Sequence, residues 1–423
     1  MASTTLPPSV PPTHPAVAIT GVRQPLSIIS EPTTPPSADQ VLVHVQWTSS
    51  SPLELHEADG GLLLTPDNMP FILGGCYGGV VAALGPTTAN STTTRRLRVG
   101  DKVFGFAHAA PSERGFQTYI TTASHQVSKL PPNLTLAEAV TVPTNLVTAI
   151  HATTTDLGLP LPWPVPPAGS TTPPVELSGA PILVWGAASS VGLFALQVYK
   201  HWGYGDVIAV AAGRHHEMLA GLGARHCVDY QLPDAVEQIL ALVPAQAGTG
   251  RRPRFPYILD CIGSLEGTLR PLTRIAERGS RVAVMLPMIN VHACDEVEPQ
   301  YEMDVANVLE GQWREGVELK GVRTHFYQKV SQLVRLGGCV LFGIPFMKPR
   351  GYSMTTNSEG ITERVLQGPS PSRHRARSSG ARGCEAEQTA DSRGEHFAGA
   401  CAEGAGYAEG KGPVRGEACM EGC

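Results

Sequence analysis

One stretch of the chain combines residue types and spacing suited to holding a phosphate: Gly186-Ala187-Ala188-Ser189-Ser190-Val191-Gly192. Gly186 can open a tight turn, and Gly192 lets a following helix lie close to the preceding strand. Small residues between them let the backbone approach a pyrophosphate at a helix N-terminus, where unpaired N–H groups and the helix dipole favour an anion. The middle glycine of G-x-G-x-x-G is missing, and Ala188 and its neighbours fill the gap. Ser189 and Ser190 add hydroxyl donors suited to phosphate. An ordinary strand–helix turn would share the glycines, so context carries the reading. The apolar run Ile182–Trp185 reads as a strand, and Val191–His201 follows with helical periodicity.

A second strand, Val207–Ala211, ends at Ala212, Gly213, Arg214, His215 and His216. A site for NAD places Asp or Glu here, on the ribose hydroxyls. A carboxylate would repel a 2′-phosphate, whereas the Arg214 guanidinium can pair with it. NADPH is therefore the expected cofactor, held in part by Gly213 and Arg214.

The elements that must position this turn alternate. After Cys227–Asp229 come a helix at Ala235–Leu242, a strand at Tyr257–Cys261, a helix at Leu265–Glu277, and strands at Arg281–Leu286 and Val317–His325. Such alternation predicts a doubly wound parallel sheet with helical crossovers. Upstream the chain is β-rich, with strands expected at Ala16–Thr20, Gln40–Trp47, Gly78–Leu84, Lys102–Phe106 and Gly115–Thr121. Short strands punctuated by Gly and Pro suggest a small barrel. One helix is predicted over Leu136–Ala152, with Thr135 as N-cap and Glu138 completing a capping box. The expected organisation is a disordered N-terminus at 1–15, a β-rich domain at 16–150, a Pro-rich linker at 151–180, a nucleotide-binding domain at 181–329, and a disordered tail at 330–423. From Gln367 to Cys423 there is no Leu, Ile or Trp, which leaves little apolar surface to offset ordering entropy.

Composition narrows the function classes. The 423 residues suffice for two cores, and 42% are hydrophobic. Net charge is −5 with no basic stripe, which argues against nucleic acid. No apolar run has the length of a membrane span. The Thr- and Pro-rich start lacks the charged and apolar regions of a secretory signal, so a cytoplasmic location is expected. Cys76, Cys227, Cys261 and Cys294 are scattered, and no C-x-x-C pair occurs among the nine cysteines. Buried thiols in a reducing compartment are expected, and neither a disulfide framework nor a structural zinc lobe.

The strand, glycine turn and helix of "ILVWGAASSVGLFALQVYK", followed by "GARHCVDY", resemble the medium-chain dehydrogenase/reductase superfamily. Within it, the chain looks closest to the zinc-independent fungal trans-enoyl reductase and quinone-reductase-like branch. "VGDKVFGF", "GFQTYI" and "GVRTHF" extend the resemblance over roughly Ala16 to Lys329. The resemblance implies an α/β fold: a GroES-like β-barrel domain, a Rossmann doubly wound parallel sheet, and an active site between them. It also implies cofactor contacts by position. Ser50, Ser51, Pro52 and Leu53 correspond to a loop flanking the nicotinamide, and Thr144 lies in a segment lining the cleft. Tyr230 matches a tyrosine packed on the cofactor. Cys261-Ile262 and Pro287-Met288 follow later strands at the carboxyl edge, where ligands bind in such sheets. The zinc ligands of zinc-dependent relatives are missing: the early loop reads Thr48–His56 without Cys, and the later site reads Gly74-Gly75-Cys76-Tyr77-Gly78. Cys76, Glu57 and His56 are the alternative metal set; the expectation is no metal.

Without a Lewis-acid metal, reduction of a polarised double bond is the simpler chemistry. Hydride from NADPH would reach the β-carbon of an enoyl or enone substrate, donors would stabilise charge on the carbonyl oxygen, and a proton would reach the α-carbon. Tyr77 and Thr144 are the candidate donors. The alternatives are a quinone reductase of the same fold, or a cofactor-binding protein that is catalytically idle. Expected partners are a small unsaturated carbonyl or quinone, with a homodimer or a polyketide synthase as protein partners. The resemblance stops after "THFYQK". Val330-Ser331 can be encoded by GTGAGT, an intron-donor sequence, so the segment beyond Lys329 is expected to derive from a read-through intron and a shifted frame. Sequencing the mature transcript decides this.

Overall fold

The computed structural model describes residues 6–326, apart from 8, 90–95, 166, 168–176, 178 and 245–251. The expected tail at 330–423, most of the Pro-rich stretch, and residues 1–5 lie outside the described residues.

Among the described residues the β-rich half holds eight strands. They are β1 Thr13–Ile19, β2 Ser27–Pro32, β3 Gln40–Ser49, β4 Phe71–Ile72, β5 Cys76–Leu84, β6 Lys102–Phe106, β7 Tyr119–Ala123 and β8 Val127–Lys129. They form a five-stranded antiparallel sheet, β7-β3-β5-β6-β8, and a three-stranded one, β2-β1-β4, with an Ala16–Gln117 bridge between them. Alternation decides what faces inward: Val41, Val43, Tyr77, Val81, Val103 and Ile120 meet in one core. His14 ties the sheets, its ring nitrogens bonding Thr33 and Gln117.

The second half is a six-stranded parallel sheet. Its strands are β9 Ile182–Trp185, β10 Val207–Val210, β11 His226–Val228, β12 Tyr257–Asp260, β13 Arg281–Met285 and, after a short hairpin of β14 Met288–Val291 and β15 Gln300–Glu302, β16 Glu318–Val322. The order is β11-β10-β9-β12-β13-β16. The strand order therefore reverses between β9 and β12, with earlier strands added on one side and later ones on the other, the switch point where such sheets bind ligands. Both faces are covered, so β9, β10 and the inner part of β12 are buried throughout. The fold is thus the GroES-like half plus Rossmann half expected.

Two predicted helices are divided. Leu136–Ala139 and Pro143–His151 are separate helices. Pro143 has no N–H to continue the ladder to Ala139, and it serves as a first helical residue instead. The stretch Leu265–Glu277 becomes a π-type turn at Leu265–Leu269 followed by an α-helix at Arg270–Ile275. The predicted strand Gly115–Thr121 shifts to Tyr119–Ala123, because Gly115 and Phe116 donate to Gly74 and Leu73 beyond the sheet ladder.

Helix Pro143–His151 joins the halves. It shares an apolar cluster with helix Ser190–His201 through Leu146, Ala149, Ala195 and Tyr199. Thr324, just after β16, donates to Thr148 on its other side at 3.0 Å.

Candidate active site at the seam of the two halves

The glycine turn sits at the carboxyl end of β9, beside the switch point. Gly186 has φ +73°, and a Cβ there would lie 2.5 Å from Ile262 Cγ1. At Gly192 a Cβ would lie 2.6 Å from the Gly186 carbonyl and 2.7 Å from Ala187 Cα. Only glycine gives this left-handed turn and this strand–helix approach. Both approaches are to the protein's own atoms, so the two glycines are required by the turn and by the packing of the helix onto the strand. Ala188 and Val191 are half-buried along the turn.

The two serines divide. Ser189 is the helix N-cap: its Oγ accepts from the Gly192 N–H at 3.2 Å and is buried. Ser190 opens the helix and is exposed, so Ser190 rather than Ser189 offers a hydroxyl outward. At the end of β10, Gly213 and Arg214 are exposed, and the Gly213 N–H donates to Asp229 Oδ2 at 2.8 Å. Asp229 therefore braces the turn that carries Arg214. Tyr230 follows it, half-buried against the apolar cluster beneath.

Asp260, at the end of β12, organises the next turn. It is fully buried and accepts from Ile262 N at 3.0 Å, Gly263 N at 3.2 Å and Thr268 Oγ1 at 2.6 Å. Burial outweighs these bonds and pushes its carboxyl up to about 6. Cys261 and Ile262 are half-buried against the glycine turn, and burial drives the Cys261 thiol strongly up, so it stays protonated. Pro287 is buried, and the Met288 side chain is fully buried in the core. Met288 can therefore line a cleft only with its backbone, a correction that follows from the inward phase of β14.

On the barrel side, Ser50, Pro52 and Leu53 flank the start of helix Pro52–Gly60, with Ser50 and Pro52 exposed. Ser51 is its N-cap, with N and Oγ donating to Glu54 Oε2 at 2.7 and 2.6 Å. Its hydroxyl is occupied by the cap. Tyr77 needs the larger correction. Its ring is fully buried in the barrel and its hydroxyl donates to the Gln126 carbonyl at 2.9 Å. An inward position on β5 packs the barrel and keeps that hydroxyl away from the seam. Thr144 is half-buried at the seam, its Oγ1 2.7 Å from Cys76 Sγ. The alternative metal set is dispersed: Cys76 meets Thr144, His56 bonds Tyr301 at 2.9 Å, and Glu57 faces Arg114. Among the described residues, no three His, Cys, Asp or Glu gather as ligands.

The fold also assembles residues that motif reading passed over. Phe106 packs beside Cys76, and His108 stacks on Phe106 with ring centroids 4.8 Å apart. His325, after β16, meets His108 edge-on at 4.4 Å. Burial holds His108 down to about 3 and His325 down to about 4, with Arg114 lowering both and His325 also lowering His108. Both imidazoles are neutral at physiological pH. "GVRTHF" contains His325, but only the tertiary fold shows that it faces a histidine more than two hundred positions earlier.

Residues 37–152 match the family model of the alcohol dehydrogenase GroES-like domain. The chain is 32% identical over 235 residues to the trans-enoyl reductase tazE of Aspergillus terreus, a match spanning 54% of this chain and 73% of that protein. It is 26% identical over 253 residues to the lovastatin nonaketide synthase enoyl reductase component lovC of the same species, spanning 59% and 63%. Among solved structures, an alcohol dehydrogenase superfamily protein from Novosphingobium aromaticivorans shares the fold at TM-score 0.56 and 20% identity, covering 78% of this chain and 85% of that one. No helix among the described residues is long and apolar enough to cross a membrane.

Proposed function

Since the chain belongs to the trans-enoyl reductase-like branch of the medium-chain dehydrogenase/reductase superfamily, we propose that it reduces the activated C=C bond of an enoyl or enone substrate with NADPH and without zinc. The observation carrying this is the left-handed glycine turn opening a helix at the sheet's switch point, with the exposed Arg214 at the end of the adjacent strand. Gly186, Ala188, Ser190, Val191 and Gly192 would hold the pyrophosphate. Gly213 and Arg214 would take a 2′-phosphate, and Tyr230, Ile262, Pro287 and the 50–53 segment would border the remainder. When bound, the cofactor supplies the hydride.

Thr144 is the proposed donor to the substrate carbonyl. Burial pushes the Cys76 thiol up, so it stays protonated. An S–H donated to Thr144 Oγ1 leaves the threonine proton free for an oxygen that gains charge during the reaction. The neutral His108 and His325 and the Phe106 ring form a wall beside this pair. The reaction needs one proton at the α-carbon, from water or a side chain at this wall. A polyketide synthase as delivery partner is proposed on the name of the lovC relative. The compartment proposed is the cytoplasm.

The test is NADPH consumption by the full chain with an enone, an enoyl thioester and a quinone. Turnover of the first two is expected. Absence of NADPH binding by titration calorimetry overturns the enzyme reading, and binding without any turnover leaves an idle cofactor-binding protein.

A further inference from the structure

A second group of charged residues lies along the same wall, and the reduction step above does not use it. The Arg114 side chain is 16% exposed and that of Glu57 only 1%. Their ion pair is long, 3.6 Å from Nη1 to Oε1. Arg114 lies over the Phe71 ring, 4.4 Å from its centroid, so one face of the guanidinium is covered by an apolar surface. Both Glu57 carboxylate oxygens and His108 Nδ1 are buried without a hydrogen-bond partner. A buried cation with a fork of N–H donors thus meets one loosely held carboxylate, with Glu54, Glu113 and two neutral imidazoles within electrostatic reach. Buried charges are costly unless paired and fully hydrogen-bonded, and this pair lacks the hydrogen bonds.

We propose that Arg114, with His108 and His325, forms a subsite for a carboxylate, and that its occupant displaces Glu57 as the counter-ion of Arg114. The planar fork suits a bidentate carboxylate. The imidazoles add hydrogen-bonding capacity without adding charge. Two carboxylates beside one guanidinium cannot both stay ionised at low cost, so Glu57 takes a proton from solvent as the ligand binds. Its surroundings favour this: burial already pushes it up to about 7, Glu54 adds to the rise, and Arg114 is the group holding it down. Glu54 and Glu113 also act on Arg114; the Glu113 carboxylate is held by the Ala109 and Ala110 N–H groups. His56, on the helix of Glu57, is engaged with Tyr301. The preferred substrate is then an unsaturated compound carrying a free carboxylate. The double bond rests on the reading above; the subsite does not.

Binding of trans-2-hexenoate and trans-2-hexenamide to the full chain, measured calorimetrically in buffers of different ionisation enthalpy, tests this. The carboxylate should bind about tenfold or more tightly, with proton uptake approaching one per site at pH 8 and vanishing near pH 5.5, where Glu57 is already protonated. Glu57→Gln should keep hexenoate binding and abolish uptake. Arg114→Gln and Arg114→Lys should lose the preference for the carboxylate, with unchanged NADPH binding showing that the fold is intact. Equal binding of acid and amide, or uptake that persists in Glu57→Gln, overturns the proposal. Reduction of a neutral enone by the same preparation reports separately on the enoyl-reductase reading.

Discussion

Arg214 illustrates how much one position can decide. It stands at the end of β10, exposed, on a turn braced by the Gly213–Asp229 bond. Where a carboxylate would favour a free ribose, a guanidinium favours a phosphate. Arg214→Glu should therefore reverse the preference, weakening NADPH by about tenfold or more while leaving NADH little changed. Fluorescence titration with both nucleotides checks it, and equal losses for both would assign Arg214 to folding instead. The glycine turn was legible in sequence because its requirements are local: a left-handed φ at Gly186 and a close helix approach at Gly192 admit one residue type. Tyr77 was misread for the complementary reason. Whether a tyrosine on a strand faces a core or a cleft depends on what lies across from it, and here that is the barrel interior and the Gln126 carbonyl.

At the scale of elements, the β14–β15 hairpin is the part that periodicity missed. Its strands are short and its connection is charged, so nothing in Met288–Glu302 alternates for long enough to read. Tertiary contacts fasten it to the barrel half. Arg23 donates to the carbonyls of Cys294, Asp295 and Val297 at 2.7, 3.2 and 3.2 Å, and Tyr301 meets His56. Arg23 itself adopts φ +58°, a conformation these contacts must stabilise. Hydrogen bonds to a charged group of this exposure contribute about 1–3 kcal/mol together. Arg23→Ala should accordingly lower Tm by a few degrees and speed amide exchange across residues 288–302, while exchange in β9 and β10 stays slow. The divided helix 136–151 belongs here too: Pro143 marked the break in the sequence, but a proline can also sit within a kinked helix, and only the backbone path distinguishes the two.

Over the whole molecule, buried carboxyls and buried imidazoles such as His56, His108 and His325 pull the pH dependence of stability in opposite directions, and three carboxyls carry the acid-favouring part. Burial pushes Asp260 and Asp156 up to about 6 and Glu57 up to about 7. Each holds its proton in the folded chain at a pH where the unfolded chain has released it. Their contribution to stability is therefore full below about pH 4 and is lost as pH rises toward 6 to 7. Asp260→Asn removes one such group, and stability at pH 6 relative to pH 4 should rise against wild type by an amount worth up to ~3 kcal/mol. An unchanged difference would mean that Asp260 stays ionised on its three donors. The amino-acid sequence by itself determined what depends on neighbours in the chain: the βα alternation, the left-handed glycine turn, the basic turn at Arg214 and the apolar strands of both halves. These follow from backbone sterics and periodic burial, which operate over a few residues. The tertiary structure decided what depends on meeting across the seam. Cys76 with Thr144, His108 with His325, Arg114 with Glu57, and the removal of Tyr77 from the cleft all join segments far apart in sequence. Their protonation and reach are set by desolvation, which exists only once both halves have packed together.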